Sequence, residues 1–143
     1  MSQTRILWID DEMFLFRTFI YHLEREANCK VDGVETVTKA LATITSNRGA
    51  WPYLLTILDI NIRPAQHEDT TEGDAETAGL DILKKLREHQ PDAEILLLSG
   101  VFERLDEQHL RELEGVPRID KATLLIETLP TYVNRLKSRK GIA

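Results

Sequence analysis

The sequence predicts an α/β fold, a doubly wound parallel sheet of five strands covered by helices on both faces. Three observations carry this. Short apolar runs alternate along the chain with segments of helical periodicity. At 143 residues the chain has the size of one domain with one core to fill. The apolar runs end in the polar residues Asp10-Asp11, Asp59 and Ser99, a poor choice for packing and a good one for ligands.

The elements follow in order. Arg5 to Ile9 is a short apolar run suited to a buried strand. Met13 to Leu23 follows as a helix, with Phe16, Phe19, Ile20 and Leu23 at helical spacing. Cys29-Lys30-Val31 alternates as a second strand, and Val37, Ala40, Leu41 and Ile44 fall on one stripe of a second helix that Asn47-Arg48-Gly49 ends. Leu54 to Leu58 is a third buried strand. Leu80, Leu83, Lys84 and Leu86 open a third helix that must stop near Gln90-Pro91. Ile95 to Leu98 is the fourth strand, ending at Ser99-Gly100. Phe102, Leu105, His109, Leu110 and Leu113 mark a fourth helix closed by Gly115 as its C′ residue. Val116 to Asp120 makes a weak fifth strand, with Pro117 near its start as an edge strand allows. Thr123 then reads as the N-cap of a final helix, although Pro130 falls well inside it. Arg63 to Ala78 holds Glu68, Asp69, Glu72, Asp74 and Glu76 and no large apolar residue, so it reads as a mobile acidic loop.

Composition narrows the class. A hydrophobic fraction of 42% with 29% charged residues is that of an ordinary globular protein, not of collagen, coiled coil or a disordered chain. A net charge of −6 argues against a non-specific nucleic-acid binder, which needs a basic footprint to displace counterions. The basic cluster Arg135-Lys137-Arg139-Lys140 reads as a solvated helix end complementing the helix dipole. Cys29 is the single cysteine, so no intrachain disulfide forms and a reducing compartment fits. No signal peptide and no apolar stretch near the ~20 residues of a membrane span is seen, so a cytoplasmic location is expected.

In a doubly wound sheet the ligand site lies beyond the carboxyl ends of the strands, where the strand order reverses. Asp10, Asp11, Asp59, Ser99 and Lys121 all follow or end strands there and are expected to meet in one crevice. Three carboxylates so close repel one another and raise their pKa values unless a cation lies between them. An all-oxygen donor set favours Mg²⁺. It suits phosphoryl transfer, with an Asp as nucleophile, a metal neutralising phosphoryl oxygens, and a Lys and a hydroxyl holding the remainder. Read singly, each residue has a plainer role: Asp10-Asp11 as a helix N-cap with a first-turn acid, Ser99 as a turn residue, Lys121 as a surface lysine. Their shared position at strand ends favours the site.

The stretches "ILWIDDE", "LLTILDINIRP", "AGLDILKKLREHQPDAEILLLSG" and "RIDKA" resemble the receiver domains of two-component response regulators over nearly the whole chain. The resemblance implies a flavodoxin-like receiver fold of strand order 2-1-3-4-5 over residues 1–143, with an acidic insertion at about 63–78. It implies that Asp59 accepts a phosphoryl group from a histidine kinase or phosphotransfer protein. Asp10, Asp11 and Asp59 would bind Mg²⁺ together with the backbone carbonyl of Asn61. Ser99 would hydrogen-bond a phosphoryl oxygen, and Lys121 would pair with the phosphoryl group or the Asp59 carboxylate. Such a chain assists its own phosphorylation and dephosphorylation and is not a turnover enzyme. No output domain remains to be placed within these 143 residues, and the resemblance implies a monomer or weak dimer that docks onto a protein partner or passes the phosphoryl group on.

Several positions depart from the family pattern. Pro64 lies five residues after Asp59 rather than four, and Gly79 lies beyond the acidic insert, which reads as a lid, a partner contact or a tolerated insertion. Ala122 stands where a cis proline usually follows the lysine, so a different local backbone is expected. Arg118 replaces the aromatic switch residue, and Val101 offers no side-chain hydrogen bond to a hydrolytic water. These departures favour the alternative of a phosphorylation-independent interaction module. A Mg²⁺-dependent phosphohydrolase of the haloacid dehalogenase kind needs a second Asp two residues after the nucleophile, where this chain has Asn61.

The remaining residues divide simply. Trp8 shares strand parity with Asp10 and is expected in the core, and Trp51 as a partly exposed loop anchor. Phe14 and Tyr21 lie off the core stripe of the first helix, either as a partner or dimer patch or as scattered surface apolar residues. His22, His67, His89 and His109 show no metal-ligand spacing.

Overall fold

A computed structural model describes residues 3–47, 49–62, 78–100 and 107–142, without the side chains of His109 and Leu110. The acidic insert with Pro64 and His67, and Val101, Phe102 and Leu105, lie outside the described residues. Five parallel strands form one sheet in the order β2-β1-β3-β4-β5. They are β1 (Thr4–Ile9), β2 (Cys29–Val34), β3 (Leu55–Leu58), β4 (Ile95–Ser99) and β5 (Arg118–Asp120). The helices between and after them are α1 (Arg17–Glu26), α2 (Val37–Ser46), α3 (Ala78–His89), α4 (Glu107–Glu112) and α5 (Thr128–Arg139). The strand order and the parallel pairing agree with the sequence reading. None of the described helices is long and apolar enough to cross a membrane.

Period-two alternation divides each central strand between two cores. Ile6, Trp8, Leu55, Ile57, Leu96 and Leu98 point to the side covered by α1 and α5, where Phe16, Leu23, Val133 and Leu136 meet them. Leu7, Ile9, Leu58, Ile95 and Leu97 point to the side covered by α2 and α3, against Ile44, Leu83 and Leu86. Trp8 is fully buried, as its parity predicts. Trp51 is half-buried and packs edge-on against Tyr53 at 5.1 Å. Phe14 and Tyr21 are exposed. α2 is started by Thr36, whose hydroxyl accepts the Lys39 N–H at 3.1 Å.

Three boundaries differ from expectation. The single helix read over Met13 to Leu23 is a 3₁₀ turn, Met13–Phe16, followed by α1, because Phe16 (φ −110°, ψ 14°) leaves helical geometry and neither segment has a side-chain cap. The last helix starts at Thr128 rather than after Thr123. Asp120 caps the Ala122 N–H at 2.8 Å and closes a 3₁₀ turn over Lys121–Thr123, after which Leu124 turns extended. Pro130 then falls in the first turn of α5, where its missing N–H has no helical partner to lose. β5 is two residues shorter than read, although the Pro117 carbonyl still accepts from Leu97.

The basic cluster is not uniformly solvated. Lys137 is only 5% exposed and its ammonium donates to the Ala27 carbonyl at the end of α1 at 2.9 Å. It caps α1 from α5, where a positive charge meets the negative end of the helix dipole. Gly115, read as the closing residue of α4, has φ 79°, a left-handed conformation that suits glycine.

Gly79, in the first turn of α3, settles a spacing question that the acidic insert obscured. A Cβ there would lie 2.1 Å from the Ile60 carbonyl oxygen and 2.6 Å from the Ile60 Cα. The helix therefore returns to touch backbone one residue past Asp59.

Candidate functional site

The parallel strands end together, and each polar residue predicted at a strand end arrives in the same place. Asp10 leaves β1 with its N–H bound to the Val34 carbonyl at 2.9 Å, and Asp59 leaves β3 with its N–H bound to Ile9 at 2.9 Å. These ladder bonds extend the sheet by one residue and fix where the two carboxylates project. Both residues are buried. Ser99 ends β4 in register with Asp120, which places Lys121 one residue further along the neighbouring edge strand.

Lys121 joins the group. Its Nζ lies 3.0 Å from Asp10 Oδ2, 3.0 Å from Asp59 Oδ2 and 3.4 Å from Glu12 Oε1. It also sits 5.3 Å from the centre of the Phe16 ring, which in turn packs on Trp8 at 5.4 Å. Asp10 Oδ1 accepts the Glu12 N–H at 2.8 Å, and Asp59 Oδ1 accepts the Asn61 N–H at 2.9 Å. The Asn61 side-chain amide donates to Ser99 Oγ across β3 and β4. A cavity of about 340 Å³ opens on these groups, lined by Asp11, Glu12, Asp59, Asn61, Ser99, Gly100 and Lys121.

The electrostatics are unbalanced toward negative charge. Asp10, Asp11, Glu12 and Asp59 each place a carboxylate oxygen within 4.8 Å of the others, against one ammonium from Lys121. Burial, followed by repulsion from Asp10, pushes the Asp59 carboxyl up to about 6, while Lys121 and the Asn61 N–H pull the other way. Burial disfavours the charged form of Lys121, but Asp59 and Asp10 more than offset it and raise its pKa. Asp10 Oδ2 is buried and, although it pairs with Lys121, accepts no aligned hydrogen bond from the described residues. An all-oxygen set with surplus negative charge and an under-coordinated buried oxygen fits a hard divalent cation such as Mg²⁺.

All the sequence-predicted site residues are thus brought together: Asp10, Asp11, Asp59, Asn61, Ser99 and Lys121 share one crevice. Glu12 joins them unforeseen. Its signal was present in the third consecutive acid of "DDE", but nothing in the spacing alone says that the 3₁₀ turn at Met13 leaves its carboxylate facing Lys121. The Lys121–Ala122 peptide is trans, and the Asp120 cap takes the place of a ring constraint in shaping the turn.

No protein-family model and no curated protein matches the sequence. Solved structures do match the fold. A response regulator receiver domain protein from Clostridium thermocellum superposes with TM-score 0.68 at 23% identity, covering 96% of this chain and 97% of that one. A CheY-like response regulator receiver domain protein from Methanospirillum hungatei gives TM-score 0.70 at 19% identity, with 98% of each chain covered. A two-component response regulator from Clostridium difficile gives 0.67 at 23% identity over 96% of this chain and 98% of that one. The receiver fold expected from the sequence is therefore the fold of this chain, over nearly its whole length.

Proposed function

We propose that this chain is a phosphoryl-acceptor switch of a two-component or phosphorelay system, with Asp59 as the acceptor. The observation that carries the reading is the placing of one half-buried lysine 3.0 Å from both Asp10 and Asp59, with Ser99 lining the same cavity. A structural ion pair needs one carboxylate, not four converging on a cavity.

In the proposed step a carboxylate oxygen of Asp59 attacks the phosphorus of a phosphohistidine on a kinase or phosphotransfer protein. The O–P bond forms as the P–N bond breaks, and the imidazole leaves with its electron pair and takes a proton from solvent. Mg²⁺ held by Asp10, Asp11, Asp59 and the Asn61 carbonyl would supply charge neutralisation at the phosphoryl oxygens. Lys121 holds a positive charge at the acceptor oxygen, and Ser99 offers a hydroxyl to the transferred group. The chain is not a turnover enzyme in this reading; it acts in the cytoplasm by docking to a protein target in one of its two states. Arg118 at the start of β5, where the family carries an aromatic, favours a second reading as a phosphorylation-independent interaction module.

Intact mass after incubation with acetyl phosphate, with and without Mg²⁺, tests the reading on wild type and Asp59→Asn. The expected result is a Mg²⁺-dependent gain of one phosphoryl group in wild type and none in the variant. No gain in a folded protein that also fails to bind Mg²⁺ would move the weight to the interaction module.

A further inference from the structure

Asn61 entered the sequence reading through its main-chain carbonyl and as the residue standing where a phosphohydrolase needs a second Asp. Its side chain has a separate engagement. The main-chain N–H of Asn61 holds Asp59 Oδ1 at 2.9 Å, while the side-chain amide of the same residue donates to Ser99 Oγ. One residue therefore touches both the acceptor carboxylate and the hydroxyl across the cavity, and all three line the same space.

We infer that the Asn61 side chain is a positioning residue for phosphoryl capture, fixing the Ser99 hydroxyl as a donor beside Asp59 before any phosphoryl group arrives. The inference rests on the proposed acceptor role of Asp59. Its chemistry is that of the hydroxyl group. A serine oxygen that accepts a hydrogen bond from an amide keeps its own O–H as a donor, and a donor is what a phosphoryl oxygen requires. Ser99 is fully buried at the end of a central strand, and the Asn61 amide reaches it from a half-buried position beside the cavity. Asn61 is rigidly placed, because its own N–H and the Ile62 N–H, 3.3 Å from the Asp59 carbonyl, close the turn that follows β3. Preorganisation of this kind removes the need for an inward swing of the serine and agrees with a chain that has Arg118 in place of an aromatic switch.

The test is a double-mutant cycle on the full chain: Asn61→Ala, Ser99→Ala and the pair, each leaving the Asn61 main-chain groups in place. Rates of phosphoryl gain from acetyl phosphate in Mg²⁺ and lifetimes of the product are read by intact mass, with far-UV circular dichroism confirming the fold. Ser99→Ala is expected to slow phosphoryl gain by about tenfold or more, the scale of one lost hydrogen bond to a charged group. If Asn61 acts through Ser99, Asn61→Ala slows it severalfold alone and adds nothing to Ser99→Ala, so the pair equals the single serine variant. Multiplying effects in the pair, with wild type phosphorylated normally, would overturn the positioning role and leave Asp59 as the acceptor. Wild type that takes no phosphoryl group would overturn the acceptor reading and this inference with it.

Discussion

Replacing Gly79 by alanine should destabilise the protein, although the substitution improves a helix. Alanine in a helix interior is favoured over glycine by about 0.8–1.0 kcal/mol, and the gain is smaller in the first turn, where Gly79 lies. Against it stands the new Cβ, 2.1 Å from the Ile60 carbonyl oxygen and 2.4 Å from its carbon. Backbone has to withdraw by about 1 Å to bring that contact to 3.0 Å, and overpacking of this kind costs typically 1–3 kcal/mol. The neighbour here is main chain rather than the far end of a flexible side chain, so the upper part of that range applies. The net expectation is a loss of about 1–2 kcal/mol, or a fall in Tm of roughly 2–8 °C for a domain near this size. Because Ile60 follows Asp59 directly, the displacement reaches the proposed acceptor as well. Urea unfolding gives the first quantity through the midpoint at unchanged slope, and the rate of phosphoryl gain gives the second. A Gly79→Ala protein as stable as wild type, or more so, would refute the close approach of α3 to the Ile60 backbone.

Two further expectations concern buried charge. Asp59 is raised in the folded state to about 6, above the roughly 3.9 of an unfolded aspartate, so between these values the native state binds the extra proton. Stability in the absence of divalent metal therefore falls as pH rises from about 4 to 6. The Asp59→Asn protein should lack that slope and be more stable than wild type at pH 7, by up to about 2–3 kcal/mol. Parallel unfolding curves for the two proteins across this range would contradict the raised Asp59 carboxyl. Lys137→Met keeps the apolar stem and removes the ammonium from the Ala27 carbonyl, so it should cost about 1–2 kcal/mol in urea unfolding. An equal or higher midpoint would mean that the desolvation of the buried ammonium outweighs its cap on α1.

The strands and the site were legible because both depend on local pattern. A run such as Leu55 to Leu58 is buried on both faces and announces itself, and Asp59 is placed simply by ending it. What the sequence concealed depends on contacts between distant segments. Lys137 looks like its neighbours Arg135 and Arg139 until α5 is laid against α1, and only then does its helix position face inward. Gly79 stands far from Asp59 in sequence, so its meeting with Ile60 is invisible to spacing. The start of α5 was misplaced because Thr123 has the chemistry of a cap, whereas the residue before the helix is Glu127, which makes no side-chain cap. The choice fell to the Asp120 carboxylate, which spends the intervening residues on a 3₁₀ turn. Glu12 was visible as a residue and hidden as a participant, since its role follows from how the chain leaves β1.

The edge strand β5 pairs with the sheet over three residues only. Lys121, directly after it, reaches across to carboxylates that belong to the two strands nearest the centre. The lysine is thus a rivet between the rim of the sheet and its middle, and the rim segment it secures leads through the 3₁₀ turn Lys121–Thr123 toward α5. Any event that draws the ammonium off Asp10 changes how tightly that border is fastened.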